Sequence, residues 1–196
     1  MNTSTSGQTG KPGRDQVDLF LQEVQSGAFR AALLVTHNET EALDLVQDAM
    51  LRWVTSDYDK KPMDEWKPLF FQVLRNRIRD WQRRSILTFR LFRSNAGQIG
   101  EDDWALSIID AVSSNELSPD QALVRQQFSH ALMNALGQLP ARQREAFVLR
   151  IWQGLSTREA AMVMGCSEGS VMTHLSRANH SLQQKLKVFL PESRLE

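Results

Sequence analysis

LPARQREAFVLRIWQGLSTREAAMVMGCSEGSVMTHLSRANHSLQQKL, Leu139 to Leu186, is the stretch that decides the fold of this 196-residue chain. Gly154 follows an apolar helical run and suits the left-handed position just past a helix end, where a side chain would clash with the backbone. Ser156 and Glu159 then form a capping box in S-T-R-E, each side chain accepting a hydrogen bond from an orphan amide at the new helix start. Ala160, Ala161, Val163 and Met164 make a small-residue face on which a second helix can pack closely. Gly165 sits where the next turn needs a permissive backbone, and Ser167 can cap the helix after it. In that helix Val171, Leu175, Ala178, Leu182 and Leu186 recur at spacings of three and four, the stripe of a core-facing helix. Ser170, Thr173, His174 and Arg177 therefore point outward, toward solvent or a DNA major groove. Two signed helix starts around one glycine turn describe a helix-turn-helix. The alternative is an ordinary helical hairpin with a polar outer face.

Working outward, 196 residues suit one large domain or two small ones. Two domains of roughly 75 residues would each be marginal alone. No run of 18 apolar residues exists, which argues against a membrane span. The start, MNTSTSGQTGKPG, is polar and lacks the apolar centre of a signal peptide, so a flexible tail over 1–14 is expected. A single cysteine excludes an internal disulfide and points to the cytoplasm. The net charge is zero, but it is unevenly spread. From Arg75 to Arg93 there are seven arginines against one acid, Asp80; from Ser94 to Asp120 there are six acids and no lysine or arginine. That asymmetry places a nucleic-acid surface next to a segment that nucleic acid would repel. Two solvated faces that neutralise each other in the fold are the competing reading.

No period of two persists, whereas helical spacing recurs throughout, so the chain reads as all-α. A first helical region runs from Asp15 to Val35, with a possible break at Ser26-Gly27. Asn38 precedes Glu41 by three and can cap a second helix. In it Ala42, Val46, Ala49, Met50, Trp53 and Val54 form one face; Asp44, Gln47, Asp48 and Leu51 form the other. A third helix is expected from about Glu65 to Arg84, with Trp66, Phe70, Leu74, Ile78 and Trp81 inward. Its outer face carries Gln72, Asn76, Arg79 and Arg83, flanked by Arg75 and Arg77, and arginines beside aromatics suit phosphate contact with base stacking. Phe70 and Trp81 are better read as core.

The helix-turn-helix resembles both the C-terminal domain of bacterial sigma factors and the output domain of LuxR-type regulators. The N-terminal half separates the two. EALDLVQDAMLRW, from Glu41, resembles the sigma-factor helix that docks on RNA polymerase core. WKPLFFQVLRNRIRDWQRR, from Trp66, resembles the next helix of that family, with Phe70-Phe71, Arg75-Asn76, Asp80 and Arg83-Arg84 in the family's order. The likeness covers roughly 15–92 and 119–190. With both domains present and little else, the chain is similar to the extracytoplasmic-function group, the smallest sigma factors. A LuxR-type regulator would instead carry a receiver or sensing domain, and no βα alternation is present to build one.

This resemblance implies two small helical domains, 15–92 and 119–190, joined by an acidic linker over 93–118. It implies no enzyme activity and no cofactor. Asp44, Gln47, Asp48 and Leu51 would meet a basic coiled coil of RNA polymerase core. The loop Thr55 to Asp64 would capture an unstacked base of the upstream ten-element, by Tyr58 stacking and by Asp59 or Lys60 reading an edge. Asn76, Arg79, Arg83 and Arg84 would hold adjacent backbone or bases. Ser167, Ser170, Thr173, His174 and Arg177 would serve the thirty-five element. Met172, His174 and Asn179 stand where many relatives are basic, so the recognition helix is weakly basic. The linker either threads through polymerase or, through Trp104, Leu106, Ile108, Ile109 and Val112, forms a short helix on one domain. An anti-sigma protein is an implied partner, and membrane insertion is not.

Metal chemistry finds no support in histidines 37, 130, 174 and 180, which stand far apart with no ligand set beside them. Cys166 reads as packing between two helices. A stand-alone DNA-binding regulator, or a degenerate sigma that occupies a partner without initiating, are the alternative functions. Opposite charge blocks at the junction predict a compact free state with the arginines partly masked.

Overall fold

A computed structural model of the chain describes residues 14–91 and 119–189. The polar tail, and the acidic linker with its two readings, lie outside the described residues. Those that are described form helices in the order α1 (Arg14–Thr36), α2 (Glu39–Thr55), α3 (Met63–Leu91), α4 (Pro119–Gly137), α5 (Ala141–Phe147), α6 (Thr157–Met164) and α7 (Glu168–Lys185). Short 3-10 turns add Tyr58–Lys60 and Lys187–Phe189, and no strand occurs among the described residues. The all-α expectation holds.

Helices α1, α2 and α3 pack around an aromatic centre. Phe20 of α1 lies 5.0 Å from the ring of Trp53 and 5.4 Å from that of Trp66, and the two indoles meet at 5.3 Å, nearly edge to face. Such tilted pairs favour the ring quadrupoles and add about 0.5–1.5 kcal/mol each beyond the area they bury. Phe70 completes the cluster, and all three of Trp53, Trp66 and Phe70 are fully buried. Asn38 caps α2, its side-chain oxygen accepting from the amide of Glu41 at 3.0 Å. Expectation and structure differ in detail here. Helix α1 runs unbroken through Ser26-Gly27, and α3 extends seven residues beyond the expected end, to Leu91. Val54 is exposed while Leu45 takes the buried place, because the helix turns by about 100° per residue and Leu45 falls nearer the stripe of Ala42 and Ala49.

The C-terminal group begins with α4. Helix α5 passes into a π-helical turn, Val148–Trp152, in which the amide of Gln153 reaches back to the carbonyl of Val148 at 3.0 Å. The extra residue in a π turn shifts the phase of the residues after it, and Gln153 emerges buried. Gly154 then adopts φ 67°, the left-handed conformation its position demands. Helix α6 starts on the full capping box, Ser156 accepting from the Glu159 amide and Glu159 accepting from the Ser156 amide. Gly165 ends it at φ 62°, and Ser167 caps α7. Val171, Ala178, Leu182 and Leu186 are buried, with Leu175 half-buried. The helix-turn-helix is therefore present with the boundaries its caps dictate. Among the described residues no helix is long and apolar enough to cross a membrane.

The two groups share one core. Phe71 and Leu74 of α3 and Leu34 of α1 line a cleft of about 260 Å³ whose other wall is Val148, Leu149 and Val163.

Candidate nucleic-acid interface

Helix α7 presents its N-terminal turn and one long side to solvent. Ser167 accepts from the Ser170 amide at 3.2 Å, and the two hydroxyls lie 2.9 Å apart, so Ser170 is half-buried and occupied with the cap. Thr173 is exposed, and its hydroxyl donates to the carbonyl of Gly169 at 2.9 Å. It thus offers its methyl and oxygen lone pairs outward, a combination suited to a thymine methyl or a base amino group. Arg177 is exposed and His174 half-buried one turn along. Met172, 63% exposed, sits in the same face where a cation would strengthen phosphate contact.

On α3, Asn76, Arg79, Arg83 and Arg84 are all exposed. Burial and the nearby guanidinium of Arg75 push the Arg79 pKa down, with Arg142 and Arg83 adding to the crowding and Glu145 opposing it. Arg83 is loosely paired, 3.7 Å from Asp80, while Arg77 holds Asp80 at 2.8 Å. The masking of arginines expected for a compact state is thus nearly absent from this row. Arg75 alone is turned into the junction, its side chain 13% exposed.

The turn before α3 holds the remaining candidates. Lys60 is exposed and paired with Asp57 at 2.8 Å, which raises its pKa. Asp59 is half-exposed. Tyr58 is less free than the sequence suggests, for its ring rests 6.4 Å from that of Trp53. The opposite side of α2 exposes Asp44, Gln47, Asp48 and Leu51, the leucine by 66%. Arg77 approaches Asp48 at 3.5 Å, so that carboxylate is partly screened.

Four residues to which sequence reasoning gave no such role organise the junction: Arg75, Arg142, Glu145 and Gln153. Arg75 and Arg142 both pair with Glu145, and both donate to the carbonyl of Met164, at 2.7 and 2.8 Å. Gly27, which the sequence offered as a possible helix break, instead lies inside α1 and accepts from Gln153 through its carbonyl at 3.2 Å. Among the described residues no cluster of three or more His, Cys, Asp or Glu could hold a metal, and Cys166 is half-buried between α6 and α7.

These features define an all-α protein with a solvent-facing helix-turn-helix and a separate arginine-lined helix. Residues 129–178 match the family model for Sigma-70, region 4. The RNA polymerase sigma factor CnrH of Cupriavidus metallidurans is 30% identical over 151 residues, 76% of this chain and 74% of that one. The sigma-H factor of Pseudomonas aeruginosa is 23% identical over 176 residues, 90% of this chain and 89% of that one. Among solved structures, the sigma factor RpoE of Bartonella quintana, in complex with the anti-sigma factor NepR, superposes with a TM-score of 0.59 at 30% identity, covering 87% of this chain and 98% of that one. The chain belongs to the RNA polymerase sigma factors, in the extracytoplasmic-function group, and is thus a transcription initiation factor.

Proposed function

We propose that this chain brings RNA polymerase core to promoters built of two separated elements. Residues 15–92 act as the domain that binds core and the ten-element; residues 119–190 act as the domain that binds the thirty-five element. Asp44, Gln47, Asp48 and Leu51 form the core-docking face, a ring of acid and amide around one exposed leucine. Such a patch is complementary to a basic helical partner with an apolar notch. Tyr58, Asp59 and Lys60 receive an unstacked base, and Asn76, Arg79, Arg83 and Arg84 hold the strand beside it. Ser167 and the free amides of the α7 N-terminus take a phosphate. Thr173, His174, Arg177 and, secondarily, Ser170 face the major groove.

One observation carries this reading: two exposed polar surfaces of different chemistry, an arginine row and a capped recognition helix, stand on one chain beside an acidic face that DNA would repel. A stand-alone regulator needs no such acidic face. The Bartonella relative is solved with an anti-sigma factor, and we extend that class of partner to this chain. Run-off transcription on host genomic fragments, with sigma-free core polymerase and with or without the chain, tests the proposal. New start sites sharing two spaced upstream elements support it. Co-elution with core without initiation favours the degenerate-sigma reading, to which the weakly basic α7 lends weight. Failure to co-elute removes both.

A further inference from the structure

We propose that the cleft between α3 and the π turn is a binding site for a small amphipathic carboxylate, its apolar body inside and its head on Arg79 and Gln82. The inference goes beyond the promoter function and does not depend on it.

The walls define the body of the ligand. Phe71, Leu74 and Ile78 of α3 fall at spacings of three and four, so one stripe of that helix faces the cleft. Val148, Leu149 and Val163 close the other side. These six side chains offer water no hydrogen bond, and a water needs several polar partners to stay. Left empty, the space costs its lining atoms their dispersion contacts, and voids of this size are rare in close-packed interiors. A dry cavity of about 150 Å³ takes up benzene. At about 260 Å³ this one has room for a body of about ten carbons.

The rim defines the head. Arg75, Arg79, Arg142 and Arg144 line it with a single carboxylate, Glu145. Arg75 and Arg142 are committed to Glu145 and to the Met164 carbonyl, and Arg144 donates to the Gly137 carbonyl at 3.0 Å. Arg79 forms no hydrogen bond or ion pair among the described residues, and neither does the side chain of Gln82. Positions 79 and 82 are neighbours on one helix face, so a single carboxylate can accept from both. Glu145 opposes this little, since each of its oxygens is already held by an arginine. The excess of cations favours an anion over a neutral or cationic amphiphile, and the planar guanidinium matches the two oxygens of a carboxylate. Arg79 is exposed, so the mouth is open to a ligand from solution.

Isothermal calorimetry of decanoate against the full chain tests the site. One saturable site should appear, with butyrate and decyltrimethylammonium each at least about tenfold weaker, the first lacking the body and the second the charge. Arg79→Ala should weaken decanoate by about tenfold. Ile78→Phe should fill the cleft and abolish binding with helicity retained. Because Arg79 is exposed, its variant keeps the fold and decides the matter even where Ile78→Phe does not fold. Decanoate should also raise the urea midpoint of the chain, since a ligand that binds only the folded state stabilises it. A lowered midpoint would show a surfactant loosening the core and would overturn the proposal. So would equal binding of decyltrimethylammonium, or an unchanged affinity in Arg79→Ala. A cleft filled by the chain's own acidic segment, 101–112, would exclude decanoate. The absence of saturable heat together with an unmoved midpoint would overturn the site in that way.

Discussion

Trp53 and Trp66 stack edge to face in one core, yet their indole N–H groups meet different ends. That of Trp66 donates to the Lys61 carbonyl at 2.8 Å, tying the turn before α3 to the helix it precedes. That of Trp53 is buried with no partner among the described residues. A satisfied buried hydrogen bond contributes about 1 kcal/mol, whereas an orphaned donor is a cost that its removal relieves. Both Trp→Phe changes lose similar volume, so Trp66→Phe should destabilise by about 1–2 kcal/mol more than Trp53→Phe in urea unfolding. Equal losses would show that the Trp53 donor finds water. At the helix-turn-helix, Ser156→Ala removes one half of the capping box and should cost about 1 kcal/mol. Gly165→Ala forces a side chain into the left-handed region and should cost about 1–2 kcal/mol by the same measurement.

Elements show which faces are committed and which are free. Helix α2 buries Ala42, Leu45, Val46, Ala49 and Trp53 and leaves its acidic side exposed, with Asp48 alone of that face meeting Arg77 at 3.5 Å. Leu51→Asp should therefore leave helicity and stability within about 0.5 kcal/mol of the parent while abolishing co-elution with core. Loss of fold would instead mean that the leucine is structural. Helix α7 divides the same way, Val171, Ala178 and Leu182 inward and Thr173 and Arg177 outward. Arg177→Ala should weaken promoter binding across all sequences and lower the salt slope by about one unit, the mark of a lost phosphate contact. Thr173→Ala should change base preference at one position with the slope unchanged. Both come from titrating promoter binding by holoenzyme against salt. The caps, the stripes and the two positive-φ glycines were legible in the sequence because each depends on neighbours within a turn. The length of α3 and the π turn after Phe147 were not, since nothing local in FVLRIW distinguishes a wide turn from a regular one.

At the scale of the whole molecule, the two helical groups share a single apolar core across the cleft lined by Leu34, Phe71, Leu74, Val148, Leu149 and Val163. Neither group has the size to be independently robust. Urea unfolding of the free chain should therefore be one transition, with tryptophan fluorescence and circular dichroism coincident. In Arg75→Glu that single transition should move to lower urea, since the ion pair with Glu145 and the hydrogen bond to the Met164 carbonyl are lost. An unchanged midpoint would mean that apolar contact alone couples the groups.

Helix identity, the turn chemistry of Gly154 and Gly165, and, apart from Val54 and Leu45, the division of α2 and α7 into buried and exposed sides all obey local rules of backbone geometry and spacing. The chain alone determines them, along with the order of the motifs that mark a sigma factor. It does not determine the meeting of Gln153 with Gly27, the sharing of the Met164 carbonyl by Arg75 and Arg142, or the resting of Tyr58 on Trp53. Each joins groups whose separation along the chain carries no periodic or capping signal, and each depends on how finished helices pack. Only that packing turned Arg75 from one more member of a basic row into a residue bonded across the junction of the two groups.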